Sequence, residues 1–347
     1  VTSLEAARTA VARILAAGGY PGEAADLVAD SLVDAEARGI ASHGITRTRV
    51  YVDRVRAGLV DASAEPVAGN GSRACRTVDA RNSPGQVAAQ VAVAQVVAAA
   101  DRWGIGMVGV VNSNHCGALG YFLRRIAAAG HLGLAASNGP AAMTYHGARV
   151  KAVGTNPLGY AVPRRSAPPI VLDMATSVVA KGRIIQAAKA GQAEIPGDWA
   201  VDQEGRPTTS PAEALAGAVV PFGGPKGSGL AMGVDLLCGA LLSGVFGSGI
   251  GDMYDDWTRT QRVGQLFIAV DPEAWTGREK FAASVEAFVA EVRALPPAAG
   301  HDRVLLPGEP EDERLAAATR DGLNLSPVTV ADLNSLAAEV GLGAGGW

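Results

Sequence analysis

The stretch IGMVGVVNSNHCGALGYF, Ile105 to Phe122, constrains this chain more than any other. Ile105 to Val111 is apolar on both sides and bounded by Gly104 and Asn112, which reads as a strand buried on both faces. A polar turn, Asn112 to Cys116, comes next, and a helix then opens among glycines. Such a turn leaves backbone N–H groups free to face a ligand. His115 sits in it, where an imidazole can pass a proton near neutral pH. A histidine that merely caps the following helix fits the same stretch.

Upstream, the signals are helical. Ser3 to Ala17 reads as a helix with Ser3 as its cap and Gly18-Gly19 as its stop. Pro21 opens a second helix that ends at Gly39, and Val50 to Gly58 is a third, amphipathic segment. The first sixty or so residues are therefore a helical unit, with a boundary near Leu59 to Val78. Asn82-Ser83-Pro84 predicts a side-chain-capped start to a buried, alanine- and valine-rich helix reaching Ala100. Ile105–Val111, Leu132–Ser137, Leu158–Val162 and Ile170–Asp173 read as strands, with a helix over Gly120–Ala129 between the first two. Thr176–Ala190 reads as a helix and Gly191–Pro211 as a long polar loop. Pro221–Gly247 runs from a glycine loop into a very apolar helix that carries Asp235. A strand over Gln265–Val270 and a helix over Phe281–Ala294 follow. The last helix is expected from Thr329, with Asp332 completing a capping box.

Helices, then mixed elements, then helices again place the two termini together on one subdomain rather than in βαβ units from the first residue. No G-x-G-x-x-G lies between a strand and a helix, since Gly104-Ile105-Gly106 precedes its strand. Gly223 to Gly229 does not match the phosphate-binding loop G-x-x-x-x-G-K-[ST] either. With 347 residues the chain can bury one large core or two subdomains, and the order of elements favours two.

A net charge of -4, no basic stripe and only 5% aromatic residues argue against nucleic acid. Three cysteines scattered singly, Cys75, Cys116 and Cys238, make neither a disulfide framework nor a paired zinc motif. A reducing, cytoplasmic setting is expected, with no signal-peptide profile. The apolar runs Val91–Ala100 and Leu236–Phe246 are too short to span a bilayer. Five histidines without H-E-x-x-H suggest no metal.

Several clusters could carry chemistry. Ser42, His43 and Arg47 come first: if helical, His43 and Arg47 share a face, and a guanidinium fork suits a substrate carboxylate. A capping serine with a surface arginine is the plainer account. Asn114-His115, Asn138 in SNGP and Thr155-Asn156 in GTNP are polar strand ends that could converge on one cleft or simply satisfy turns. Asp173 leads into MATS, with Lys181 and Arg183 beyond, a combination able to hold a nucleotide phosphate or just to cap a helix. Lys226, between glycines, suits an anion. Asp235 needs a buried partner, either a catalytic histidine or backbone and serine groups. Arg303 and Glu309 flank a charged turn.

These residues together resemble the second type of malate/L-lactate dehydrogenase family, which also includes ureidoglycolate, sulfolactate, 2,3-diketogulonate and Δ1-piperideine-2-carboxylate dehydrogenases or reductases. The markers are SHGITR (42–47), NHCGALGYF (114–122), GTNP (154–157), DMATSVVAKGRI (173–184), IPGDWAVDQEGRPTT (195–209) and PFGGPKGSGLAMGVDLL (221–237). The resemblance implies an α+β, non-Rossmann NAD(P)-binding fold with mixed α/β layers, a mainly antiparallel or mixed sheet and a helical domain from both termini. The expected domains are residues 1–75 with 275–347, for substrate and dimerisation, and 76–274 for the cofactor. It further implies a homodimer, NAD or NADP as cofactor, and hydride transfer between a small 2-hydroxy acid and its 2-oxo acid. Alternatives are NADPH-dependent reduction of a cyclic imino acid and a non-catalytic anion-binding homologue.

By the same resemblance, Arg47 holds the substrate carboxylate. Either His43 with Ser42 or His115 supplies acid/base chemistry. His115, Cys116, Gly117, Ala118, Leu119, Gly120, Thr155, Asp173, Met174, Ala175, Arg183 and Lys226 line the cofactor or active site, with Arg303, Leu305, Pro307, Gly308 and Glu309; Asn138 is a weaker addition. Cys116, where the family often has a bulkier residue, and the YHGARV run at 145–150, where a tryptophan-glycine form is more usual, depart from the pattern and bear on substrate choice.

Overall fold

The structure, a computed structural model, describes residues 1–343. The last four residues of the expected terminal domain, 344–347, lie outside the described residues. Helices α1 (Leu4–Ala17), α2 (Gly22–Ala37) and α3 (Thr48–Arg56) open the chain. Strands β1 (Val67–Ser72) and β2 (Cys75–Asp79) follow, then α4 (Gly85–Trp103), β3 (Ile105–Ser113), α5 (Leu119–Ala128) and β4 (Leu132–Ser137). Next come β5 (Leu158–Val162), β6 (Ile170–Met174), α6 (Lys181–Lys189), the short β7 (Ala200–Val201), α7 (Pro211–Ala216) and β8 (Ala218–Val219). The chain continues with α8 (Pro225–Cys238), β9 (Val263–Val270), α9 (Arg278–Ala294), α10 (Glu309–Asp321) and α11 (Pro327–Glu339).

Seven strands form one sheet in the order β1-β2-β3-β9-β4-β5-β6, in which only β2 and β3 run parallel. This is a mixed, mostly antiparallel sheet and not a doubly wound one, in keeping with the missing dinucleotide fingerprint. Strand β9 lies between β3 and β4, so Val270 stands opposite both Ile105 and Leu132. On one face Val108, Val110, Phe267 and Ala269 pack against the alanines of α4 and against Phe122, Leu123 and Ile126 of α5. Phe122 and Phe267 are fully buried and meet edge to face, each contributing about 2–3 kcal/mol by area. On the other face Met107, Leu266 and Ile268 meet Val234 and Cys238 of α8. Both faces of the central strands are thus covered, which accounts for the unbroken apolar run in β3.

A second core joins the ends of the chain. Val11, Ile14 and Leu15 of α1 and Val28, Leu32 and Val33 of α2 share it with Leu333, Leu336 and Ala337 of α11. Thr2 and Leu323 exchange backbone hydrogen bonds beside it. Helix α9 sits elsewhere: its Val289 packs with Ile170 and Leu306 at the β5–β6 edge.

Several local expectations need correction. Helix α4 takes no side-chain cap; Pro84 is its N-cap residue, and the Asn82 oxygens accept from Asn114 Nδ2 instead. Helix α6 begins at Lys181, because the Thr176 N–H and hydroxyl are both bound to the Thr155 carbonyl and hold the preceding residues out of helix. The last helix starts at Pro327 with Ser326 accepting from Thr329 N–H, while Asp332 pairs with Arg49. His43 and Arg47 lie in two short 3-10 turns broken at Gly44, not on one face of an α-helix.

Candidate active site

The turn after β3 is positioned by groups from three other segments. Asn114 Nδ2 donates to the carbonyls of Asn82 (3.1 Å) and Ser83 (2.9 Å), tying the turn to the start of α4. A Cβ on Gly85 would lie 2.1 Å from the Asn114 carbonyl oxygen and 2.5 Å from that of His115, so only glycine lets α4 approach this closely. The His115 N–H donates to Gln261 Oε1 at 3.1 Å.

The His115 ring meets a chain of donors. Gly117 N–H donates to Nδ1 at 3.3 Å, which makes Nδ1 an acceptor. Tyr51 of α3 places its hydroxyl 2.6 Å from the same nitrogen, and Gln86 Nε2 donates to that hydroxyl at 3.2 Å. The consistent assignment is Gln86 to Tyr51 to His115 Nδ1, leaving the proton of the neutral ring on Nε2. His43 stacks on His115 with ring centroids 5.3 Å apart, and its Nδ1 is 3.0 Å from Ser42 Oγ. Burial, then the Arg47 cation, brings the His43 imidazole down to about 3. Burial, Arg47 and His43 hold His115 well below the ordinary imidazole value. Both rings are therefore neutral at pH 7.

Arg47 folds back so that Nε donates to the Ser42 carbonyl at 2.6 Å, while Nη1 reaches Met253 Sδ at 3.4 Å. Its guanidinium lies 5.0 Å from the centre of the Tyr254 ring. No carboxylate among the described residues forms an ion pair with it, so the fork retains its capacity for an anion. Ser42, His43 and Arg47 do assemble beside His115, but through turns rather than helical periodicity.

One segment that sequence reasoning missed, Gly251 to Gln261, closes this end of the site. Arg54, 1% exposed, donates to the backbone carbonyls of Asp252, Met253, Asp256 and Arg259. The sign of this was an arginine within the amphipathic third helix, where a solvated residue would ordinarily be read.

A cavity of about 780 Å3 runs from these side chains to the far edge of the sheet, within the size range of small-molecule and cofactor sites. Ser42, His43, Arg47 and His115 line it, as do Cys116, Gly117, Ala118, Leu119, Gly120, Asn138, Thr155, Asp173, Ala175, Leu305, Pro307 and Gly308. The polar strand ends therefore converge on one cleft. Met174, Arg183, Lys226, Arg303 and Glu309 are not part of its wall. Arg183 and Lys226 are exposed, and Arg303 pairs with Glu313. Glu309 accepts from Leu306 N–H and pairs with Arg293, bracing the turn that presents Leu305 to Gly308.

The expectation of free backbone donors after β3 also needs correction. Gly120 N–H is bound to Asp173 Oδ2 at 2.8 Å, while His115 and Gly117 N–H have the partners given above. Burial raises the Asp173 carboxyl against these lowering hydrogen bonds. After β6, the hydroxyls of Thr176 and Ser177 donate to the carbonyls of Thr155 and Val179. Asp235 accepts from Asn156 Nδ2 at 3.1 Å and from the Gly247 backbone, so the expected backbone partner is present and neither a histidine nor a serine takes that place. Cys116 is buried, which pushes its thiol up to about 12 and leaves it unreactive. Away from the cleft, buried His131 lies between Asp101 and Asp271, and Arg278 binds both carboxylates.

The malate/L-lactate dehydrogenase family model matches residues 2–334. Ureidoglycolate dehydrogenase (NAD(+)) of Escherichia coli K12 is 34% identical over 312 residues, 90% of this chain and 88% of that protein. The (2R)-3-sulfolactate dehydrogenase (NADP(+)) of Chromohalobacter salexigens is 39% identical over 270 residues, 78% of this chain and 80% of that one. Among solved structures, sulfolactate dehydrogenase from Methanocaldococcus jannaschii superposes with a TM-score of 0.91 at 32% identity, covering 99% of this chain and 98% of that chain.

Proposed function

The chain belongs to the malate/L-lactate dehydrogenase family, and we propose that its cleft is the active site of an NAD(P)-linked oxidoreductase that interconverts a 2-hydroxy acid and its 2-oxo acid. When bound, the nicotinamide cofactor accepts or supplies the hydride. The observation that carries this reading is the meeting, in one cavity, of a tautomer-fixed neutral imidazole with an arginine fork that makes no carboxylate ion pair among the described residues.

In this reading Arg47 holds the substrate carboxylate through its outer nitrogens, its orientation fixed by the Ser42 carbonyl and Met253. His115 directs Nε2–H at the C2 oxygen and stabilises the negative charge that develops there as the 2-oxo acid is reduced, and a proton drawn from water completes the hydroxyl group. His43, oriented by Ser42, packs on the His115 ring and limits its water contact. The turns at Cys116–Gly120, Ala175 and Leu305–Gly308, with Asn138 and Thr155, supply a cofactor wall rich in backbone. Arg183, Lys226, Arg303, Glu309 and Met174 would then act from outside that wall. The protein is assigned to the cytoplasm on its free cysteines; among the described residues no helix is long and apolar enough to cross a membrane. The division into residues 1–75 with 275–347 and 76–274 is part of the proposal; the core shared by α1, α2 and α11 supports it, whereas α9 packs on the β5–β6 edge.

A homodimer is part of the same proposal. Leu230, Leu236, Leu237 and Leu241 of α8 and the turn after it are each at least 42% exposed, as is Phe246. A contiguous apolar face of this kind marks a protein interface. Light scattering gives its mass directly. The reaction itself is tested by following NADH and NADPH absorbance with a panel of 2-oxo acids. Turnover that falls at least about a hundredfold in His115→Ala and loses carboxylate selection in Arg47→Ala is expected. Parent-like kinetics in both variants would refute the site.

A further inference from the structure

We infer that the substrate is a 2-oxo or 2-hydroxy monocarboxylate whose C3 substituent carries no charge; this rests on the oxidoreductase reading above. The basis is the charge inventory of the cleft. Among the described residues its wall holds three permanent cations, Arg47, Arg124 and Lys181, and three carboxylates, Asp173, Asp252 and Glu311.

Two of those cations are already neutralised. Arg124 Nη2 lies 2.6 Å from Asp34 Oδ2, with both side chains less than a fifth exposed. Lys181 Nζ stands 3.4 Å from Asp255 and 3.8 Å from Asp252. Only Arg47 keeps an open fork, and one fork binds one carboxylate.

The surroundings of that fork point the same way. Met253 Sδ touches the guanidinium, the Tyr254 ring lies beneath it, and Ile40 and Ile185 also face the cleft. The two imidazoles nearby are neutral and offer no second positive charge. A substrate with a β-carboxylate or sulfonate would either displace Asp252 from Lys181 or be left facing a carboxylate, and a like-charge juxtaposition discriminates strongly. An uncharged methyl, ethyl or amide-bearing substituent meets apolar wall without that penalty. The sulfolactate dehydrogenases among the relatives act on a sulfonate by name, so this chain is assigned a different selectivity inside the same fold.

The test uses the full chain with NADH and with NADPH, and compares kcat/KM for pyruvate and 2-oxobutyrate with that for oxaloacetate and sulfopyruvate. The monoanions are expected to be favoured by at least about tenfold. The double variant Asp252→Asn, Asp255→Asn, which removes both carboxylates paired with Lys181, is expected to raise the oxaloacetate-to-pyruvate ratio by about tenfold. Equal or better turnover of oxaloacetate or sulfopyruvate by the parent overturns the inference while leaving the oxidoreductase reading intact. So does an unchanged ratio in a folded Asp252→Asn, Asp255→Asn protein. Cofactor binding without turnover of any of the four compounds overturns the reaction and the inference together.

Discussion

Replacing Tyr51 by phenylalanine isolates the hydroxyl that fixes the His115 tautomer. In the parent, that hydroxyl lies 2.6 Å from Nδ1 and accepts from Gln86 Nε2 at 3.2 Å. Its loss leaves the longer 3.3 Å Gly117 contact as the sole donor to Nδ1. A hydrogen bond of this kind is worth about 0.5–1.5 kcal/mol net, so the donor-ready ring loses population and kcat should fall roughly 2- to 12-fold. KM should change little, because in the proposed site the carboxylate is held by Arg47. A second readout separates this role from mere packing. The Tyr51 hydroxyl favours the neutral ring, so removing it should move the acidic limb of the kcat/KM profile upward by about 0.5–1 pH unit. Gln86 is also left with a buried, unpaired amide, costing about 1–3 kcal/mol and a few degrees of Tm. Steady-state oxidation of NADH across pH, with thermal melts, measures all three. A folded Tyr51→Phe enzyme with parental kcat and an unmoved profile would refute the tautomer argument.

Three further outcomes follow from the same geometry. His43 at about 3 and His115 well below 6.5 bind fewer protons folded than unfolded. Stability is therefore full above pH 6.5 and declines as pH falls from there toward the folded values, by up to about 1.4 kcal/mol per pH unit per ring. Melts from pH 7 to 5 should show this slope, and His43→Gln should reduce it. Arg54→Met removes four bonds to the segment carrying Met253 and Tyr254. It should cost about 3 kcal/mol or more and raise the oxo-acid KM about tenfold, with a smaller change in NADH affinity by fluorescence. Gly85→Ala forces a methyl group against the Asn114 and His115 backbone, so about 1–3 kcal/mol of stability and at least about tenfold in kcat should be lost. Parental values in a melt and an activity assay would show that the contact relaxes freely.

The sheet was legible wherever burial leaves a mostly apolar run, as in β3, β4 and β9, because a strand covered on both faces accepts a polar residue only where it is hydrogen-bonded, as Gln265 is to Ser113 and the Asn114 carbonyl. Helix starts were harder to read. Asn82 has the right side chain for a cap, yet it serves Asn114 because that turn has its own polar groups to satisfy. Arg47 and the strand-end His115 were legible from local chemistry. Their supports were not: Gln261 reaches His115 across 146 positions and Arg54 holds Arg259 across 205. Pairings over such separations leave no local periodicity to read.

The turn after β3 shows why a glycine-rich strand end is weaker evidence of an anion site than it looks. A buried N–H must find a partner whether or not a ligand is bound. Here the chain supplies its own: Asp173 takes Gly120, His115 Nδ1 takes Gly117, and Gln261 takes His115. Each of these partners is itself a cleft residue or holds one. The donors expected to stay open to a ligand instead fix the direction of an imidazole and bring a carboxylate to the wall of the cleft. Specificity then falls to the few groups left uncommitted, and among the cations of this cleft that is the Arg47 fork.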